Sequence, residues 1–168
     1  MAQGDCFLKL VSTRTGVIKA ETVDQQFGGY ISVTAFNWGL QTPIEAGGFR
    51  STGRTAARAF EFVCNVDTAY PALVSALTSN DSFKSAVLEM RRAGGTAAGA
   101  KPQHFLTISF TKARLSSVQI SHSLAELIPV IRASLVFEEI EITYRSQGKD
   151  GADSGGSFAV NWAIANQD

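Results

Sequence analysis

Histidine, cysteine, methionine and tryptophan each occur only twice in 168 residues, and net charge is absent, with 15 Lys and Arg against 15 Asp and Glu. Each scarcity excludes something. A nucleophilic centre needs a nucleophile, a base and a group that orients the base. The two imidazoles on offer are His104, at a strand start after Lys101-Pro102, and His122, in a serine-rich turn. Neither position points to catalysis. The nucleophile elbow GxSxG is missing. So is the phosphate loop GxxxxGK[ST]: the segment 93–102 (AGGTAAGAKP) has glycines and a lysine, but no Ser or Thr after Lys101 and no helix behind it. Cys6 and Cys64 are far apart in strand-like runs and read as buried free thiols in a reducing cytosol. Without a CxxC pair or a Cys/His cluster, no zinc site is expected. No other metal or cofactor is implied. Zero net charge argues against a general nucleic-acid binder, an acidic tail or a charge-held membrane protein. No apolar run approaches the roughly 18 residues of a membrane span. MAQGDCFLKL has neither a basic nor an apolar leader region, so any export is expected to bypass the cleaved-signal route.

What is present is strand pattern. The length suits one domain, 1–168, able to bury a core without disulfides. Residues 5–11 alternate as a first strand, and 30–38 (YISVTAFNW) are aromatic and β-branched as a second. Residues 39–53 read as a long extended loop around Pro43 and Gly47-Gly48, a kind of segment that usually binds something. Strand character returns over 54–66 and recurs over 82–92, 103–121, 129–145 and 158–164. The strand 103–121 should be broken or bulged near Ala113 to Ser117, and 146–157 reads as a Gly/Asp/Ser loop. Between strands, Tyr70, Leu73, Val74 and Leu77 recur at helical spacing and predict one short helix around 68–79. Asp67 or Thr68 is its N-cap and Asn80 its stop. Each buried stripe residue contributes about 1.5–3 kcal/mol, so the helix must lie on a sheet or plug a barrel. Seven to eight strands with glycine-rich turns imply a mainly β chain, a compact barrel or sandwich.

Two charged groups stand out. Arg50, Arg54 and Arg58 fall at intervals of four with no acid between 46 and 60, either a solvated strip or a contact for an acidic patch. Glu138, Glu139 and Glu141 form an acidic cluster in which 139 and 141 share a strand face, expected to be solvated or at an interface. Trp38 and Trp162 sit inside strand alternation, as core residues do.

Four segments then carry a resemblance. ISVTAFNWGLQTP (31–43), VDTAYPALVSAL (66–77), HFLTISFTKARLSSVQIS (104–121) and the ending EEIEITYRSQGKDGADSGG…NWAIANQ (138–167) follow one another as in the haemolysin-coregulated protein (Hcp) family. Asp67 and Pro71 of the family's helix entry are kept, while Tyr70 stands where Ser is usual. Ala20-Glu21-Thr22 replaces the family's early Gly-Glu-Ser, and the His before the second strand is missing from DQQFGGYI. The resemblance implies a non-catalytic tube subunit of a type VI secretion system. Six copies would form a ring, and rings would stack into a hollow tube inside a contractile sheath. The tube would be expelled, with effectors in its lumen and a spike protein as partner. Assembly would be cytoplasmic, delivery extracellular or into a target cell, with no nucleic acid and no stable membrane insertion. Stacking would engage Gln41, Thr42, Pro43, Phe49, Arg50 and Arg54, with Glu138, Glu139 and Glu141 as acceptors on a neighbour. On this reading no residues would be left over for a fused effector. A tube of another contractile system or phage tail, and a small-molecule-binding barrel with a closed apolar pocket, are the competing expectations.

Overall fold

The computed structural model describes residues 5–91, 104–125, 127–147 and 153–164. The order is β1 (Asp5–Ser12), β2 (Gly16–Val17), β3 (Ile31–Asn37), β4 (Leu40–Gln41), β5 (Ala56–Ala57), β6 (Phe60–Asn65), α1 (Ala69–Thr78), β7 (Ser82–Arg91), β8 (His104–Thr111), β9 (Ala113–Ser121), β10 (Val130–Val136), β11 (Glu139–Gln147) and β12 (Asp153–Ala163). All but β4 and β5 join one antiparallel sheet. Because β1 also pairs with β7, the strands β1, β7, β9, β10, β6 and β3 close into a barrel. The strands β8, β11 and β12 continue outward as a wing.

The branch comes from two kinks. Along one edge of β7, Ala86–Arg91 pairs with β8 and Ser82–Phe83 with β9. Between β8 and β9, Lys112 takes a left-handed φ of 51°. Its neighbour strand breaks alongside, between β10 and β11, where the Glu138 N–H donates to the Thr111 carbonyl at 3.1 Å. Lys112 Nζ reaches Glu138 Oε2 at 2.7 Å, tying one kink to the other. The expected break in 103–121 is thus present at Lys112, with a bulge that leaves Ser116 unpaired opposite Ser134 and Leu135. The expected single strand over 129–145 is corrected to two, since the chain must leave the barrel to build the wing. Counting each kinked pair as one strand leaves seven long strands.

Inside the barrel, Leu8, Leu10, Leu88, Phe60 and Phe62 are fully buried, and Phe110 packs on Phe60 with ring centroids 4.7 Å apart. These side chains fill the axis, as in other barrels of few strands. The helix α1 packs on β9. Asp67 Oδ1 accepts from the Ala69 N–H at 2.9 Å, so Asp67 caps, while Thr68 makes no side-chain cap bond. At the other end Asn80 has φ 50°, and the Asp81 and Asn80 N–H groups close on Ala76 and Leu77. The buried face is Ala69, Leu73 and Ala76. Of the expected stripe only Leu73 is fully buried; Tyr70, Val74 and Leu77 are partly covered, and the small Ala69 and Ala76 take the innermost positions beside Leu73. The glycine-rich segment 93–102 lies outside the described residues.

Candidate functional site

The first element of the site is a sheet face that is buried in the barrel and that, among the described residues, is left uncovered at the outer edge of the wing. Strand register aligns three rows: Cys6, Met90, Leu106, Tyr144 and Phe158; Leu8, Leu88, Ile108, Ile142 and Val160; Leu10, Ala86, Phe110, Ile140 and Trp162. All point to one side, because side chains alternate along a strand. The rows begin in the barrel core and end on the wing. Exposure rises along the middle row from 0% at Leu8 and Leu88 through 5% at Ile108 to 58% at Val160, and Phe158 reaches 67%. The opposite face of the wing carries Glu139, Glu141, Thr143 and Arg145 against Ser109, Thr107, Asn161 and Ser157. Glu139 and Glu141 share that polar face, as their spacing predicts, while Glu138 sits at the kink and is held by Lys112. The apolar alternation of Phe158, Val160 and Trp162 was visible in the sequence. That it would lie beyond the edge of the barrel was not.

The second element is an arm. The segment 39–53, expected as an irregular loop, is instead a hydrogen-bonded hairpin continuing to residue 57. Leu40 and Gln41 pair with Ala57 and Ala56, and Ile44 bridges Ser51. Thr42 and Thr55 hydroxyls meet at 2.7 Å, and Arg58 donates to Gln41 Oε1 at 3.2 Å. Gly48 N–H donates to the Glu45 carbonyl at 3.0 Å across a turn whose third residue, Gly47, has φ 82°. That is a type II geometry, which favours glycine there. A Cβ on Gly53 would lie 2.8 Å from Pro43 Cγ, so glycine lets the two sides of the arm close. Arm residues 40–54 are all exposed, and Phe49 is fully so. The candidates Gln41, Thr42, Pro43, Phe49, Arg50 and Arg54 are therefore gathered on one projection. Glu138 and Glu139 lie at the barrel end from which it springs, where Leu135 pairs with Phe60.

A third feature secures the connection between β2 and β3. Arg91 pairs with Asp24 at 2.5 Å and Asp5 at 2.9 Å. Its guanidinium lies 5.1 Å from the Phe7 ring and 5.5 Å from Phe27, which stack on each other. The Arg91 hydrogen bond holds the Asp24 carboxyl below its usual range. Nothing in sequence spacing pointed to this clasp.

Catalytic chemistry gathers nowhere among these groups. His104 packs on Phe27 with its ring Nδ1 3.8 Å from Glu89, and His122 is exposed in the β9–β10 connection. Burial pushes both thiols up to about 12, which keeps Cys6 and Cys64 protonated and unreactive. Trp38 and Trp162 pack against the core. Among the described residues no cluster of three metal-binding side chains occurs, and no helix is long and apolar enough to cross a membrane.

Comparison with known proteins agrees with this geometry. The family described as type VI secretion system effector, Hcp, matches residues 7–144. Protein hcp1 of Pseudomonas aeruginosa is 28% identical over 162 residues, covering 95% of this chain and 94% of that protein. Among solved structures, Hcp1 of Salmonella typhimurium superimposes with a TM-score of 0.73 at 24% identity, covering 98% of this chain and 96% of the other. Hcp1 of E. coli EAEC 042 gives 0.76 at 21%, covering 95% and 97%. With the barrel, the wing and the arm in the same order as the sequence motifs, the chain belongs to the Hcp family of the type VI secretion system.

Proposed function

We propose that this chain is a structural subunit of the secretion tube. Copies close into a six-membered ring, and rings stack into a hollow tube inside a contractile sheath. The tube is assembled in the cytoplasm and expelled with a spike protein, its lumen able to carry effectors. The role is mechanical, without catalysis.

The observation that carries this reading is the exposed apolar end of the core face, at Phe158 and Val160 on β12 and Tyr144 on β11. A sheet whose apolar side chains run from fully buried to two-thirds exposed is half of a core. Water is a poor partner for it, and apolar patches of this kind mark protein contacts. Among the described residues β12 is also a sheet edge, with no strand paired along its outer side. A neighbour laid against this face in a head-to-tail sense meets it with a different surface of its own. Such a contact repeats until the rotation closes. Weak net repulsion from balanced charge favours the same outcome.

Native mass spectrometry at micromolar concentration tests the reading. Six copies are expected for the wild type, and single copies for Phe158→Asp combined with Val160→Asp, still folded by circular dichroism. A wild-type chain that stays single-copy at high concentration rejects the ring.

A further inference from the structure

We propose that the groove at the branch of the sheet, between β7 and the β8–β9 kink, binds an extended acidic peptide segment of a partner protein. The inference goes beyond the tube reading and needs neither ring closure nor stacking.

The groove exists because the ladder opens there. On one edge of β7, Phe83 pairs with Ala113 of β9 and Ala86 with Phe110 of β8. The same register continued between them sets Lys84 against Lys112 and Ser85 against Thr111, and neither pair forms. Like charges directly opposite one another are destabilising. At Lys112 the backbone turns left-handed, with φ 51°, and its ammonium reaches Glu138 instead. What is left is an open depression of about 480 Å³, lined by Lys84, Lys112, Arg114, Ser82, Thr111 and Glu138 among others.

Three cations line this space with one carboxylate, and that carboxylate is engaged: Glu138 Oε2 lies 2.7 Å from Lys112 Nζ. Asp81, the residue before Ser82, is buried and accepts from the Ser12 and Thr13 hydroxyls, so it neutralises little here. Lys84 and Arg114 are exposed, and no ion pair engages either among the described residues. Arg114 pairs in register with Ser82, and Lys84 follows two positions on, so both side chains leave the same face of the sheet.

The spacing selects the ligand. Donors stand two positions apart on each wall, Ser82 and Lys84 on one, Lys112 and Arg114 on the other. Two residues is also the period of an extended chain. A peptide with carboxylates at alternate positions therefore meets cations along the groove, and Arg114 can take one of them with two parallel hydrogen bonds. The volume is many times the roughly 30 Å³ share of a water molecule, so the space takes more than a lone ion. Phosphate is the poorer match. Its sites draw on helix N-termini or nests of backbone N–H groups, whereas the charged donors here are side chains on strands and at a kink.

Fluorescence anisotropy on the full chain at low ionic strength tests the site. The probe is a labelled heptapeptide with glutamate at alternate positions and threonine between them. Saturable binding is expected, with none for the same peptide carrying glutamine in place of glutamate. Lys84→Glu and Arg114→Glu should each weaken binding on the order of ten-fold, the effect of losing one charge-assisted contact. Lys84→Gln and Arg114→Gln, with the fold checked by circular dichroism, should weaken it less. Arg132→Glu makes the same charge change at an exposed position on β10 outside the groove and should leave binding unchanged. A wild type that does not bind the acidic peptide, or an Arg132→Glu loss as large as that of the groove variants, overturns the site. Displacement of the probe by pyrophosphate at lower concentrations than by unlabelled peptide overturns the peptide as its ligand. Assembly plays no part in the readout, so each of these failures leaves the tube reading intact.

Discussion

At the scale of single residues, Arg91 shows how few contacts hold a long connection. One guanidinium bridges Asp24, sixty-seven positions away in sequence, and Asp5, while lying over two stacked phenyl rings. The Asp24 carboxyl ordinarily titrates near 3.8 and is held lower here, chiefly by the Arg91 hydrogen bond. Asp81 is lowered too, by hydrogen bonds from the Ser12 and Thr13 hydroxyls. A carboxylate whose folded value is depressed stabilises the fold above its unfolded value. That stabilisation is lost as pH falls through the folded value. Stability should therefore be flat above about pH 5 and decline below about pH 4. Asp24→Asn should give a lower plateau and a shallower acid limb. Urea unfolding midpoints measured from pH 7 to pH 2 check this, and an acid limb unchanged by the substitution removes Asp24 from the account.

At the scale of elements, the helix separates two leucines that sequence spacing treats alike. Leu73 is fully buried, whereas Leu77 is only partly covered at the rim. Leu73→Ala should cost about 2–5 kcal/mol, the range for truncation in a filled core. Leu77→Ala should cost less than half as much, because its methyl groups already meet water. Paired denaturation curves decide, and equal losses would place the buried face where the sequence stripe put it. The same scale explains why the arm reads as a loop. Its strands are two residues long and bury almost nothing, so no hydrophobic period marks them. Pairing comes from hydroxyl and backbone hydrogen bonds around Gly47 and Gly53, which alternation counts do not detect.

At the scale of the whole molecule, the chain is an incomplete core with a projecting arm. On the proposed reading, the wing would meet a neighbour in the plane of a ring and the arm one along the axis. The two contacts are separable. Arg50→Glu combined with Arg54→Glu should weaken stacking while rings persist, since both residues are exposed on the arm and neither belongs to a strand of the wing. Electron microscopy and light scattering would show rings without tubes, most clearly at low ionic strength, where exposed charges act over the longest range. Tubes of undiminished length would remove these arginines from the contact.

Local order was legible in the residues themselves. Strand pattern located β1, β3, β6, β7 and the second half of β12, and Asp67, Pro71 and Asn80 marked the ends of the helix, because pleat, cap and left-handed stop are set by neighbours within a few positions. The expected loop over 146–157 is corrected, since β11 runs to Gln147 and β12 begins at Asp153, where pairing between the two strands and not residue type extends them. The motif order carried the family. The wing's exposed face, the Arg91 clasp and the two tied kinks at Lys112 and Glu138 came only with the tertiary structure. Each depends on which strand lies beside which, and an apolar side chain looks the same in sequence whether its covering layer belongs to its own chain or to another copy.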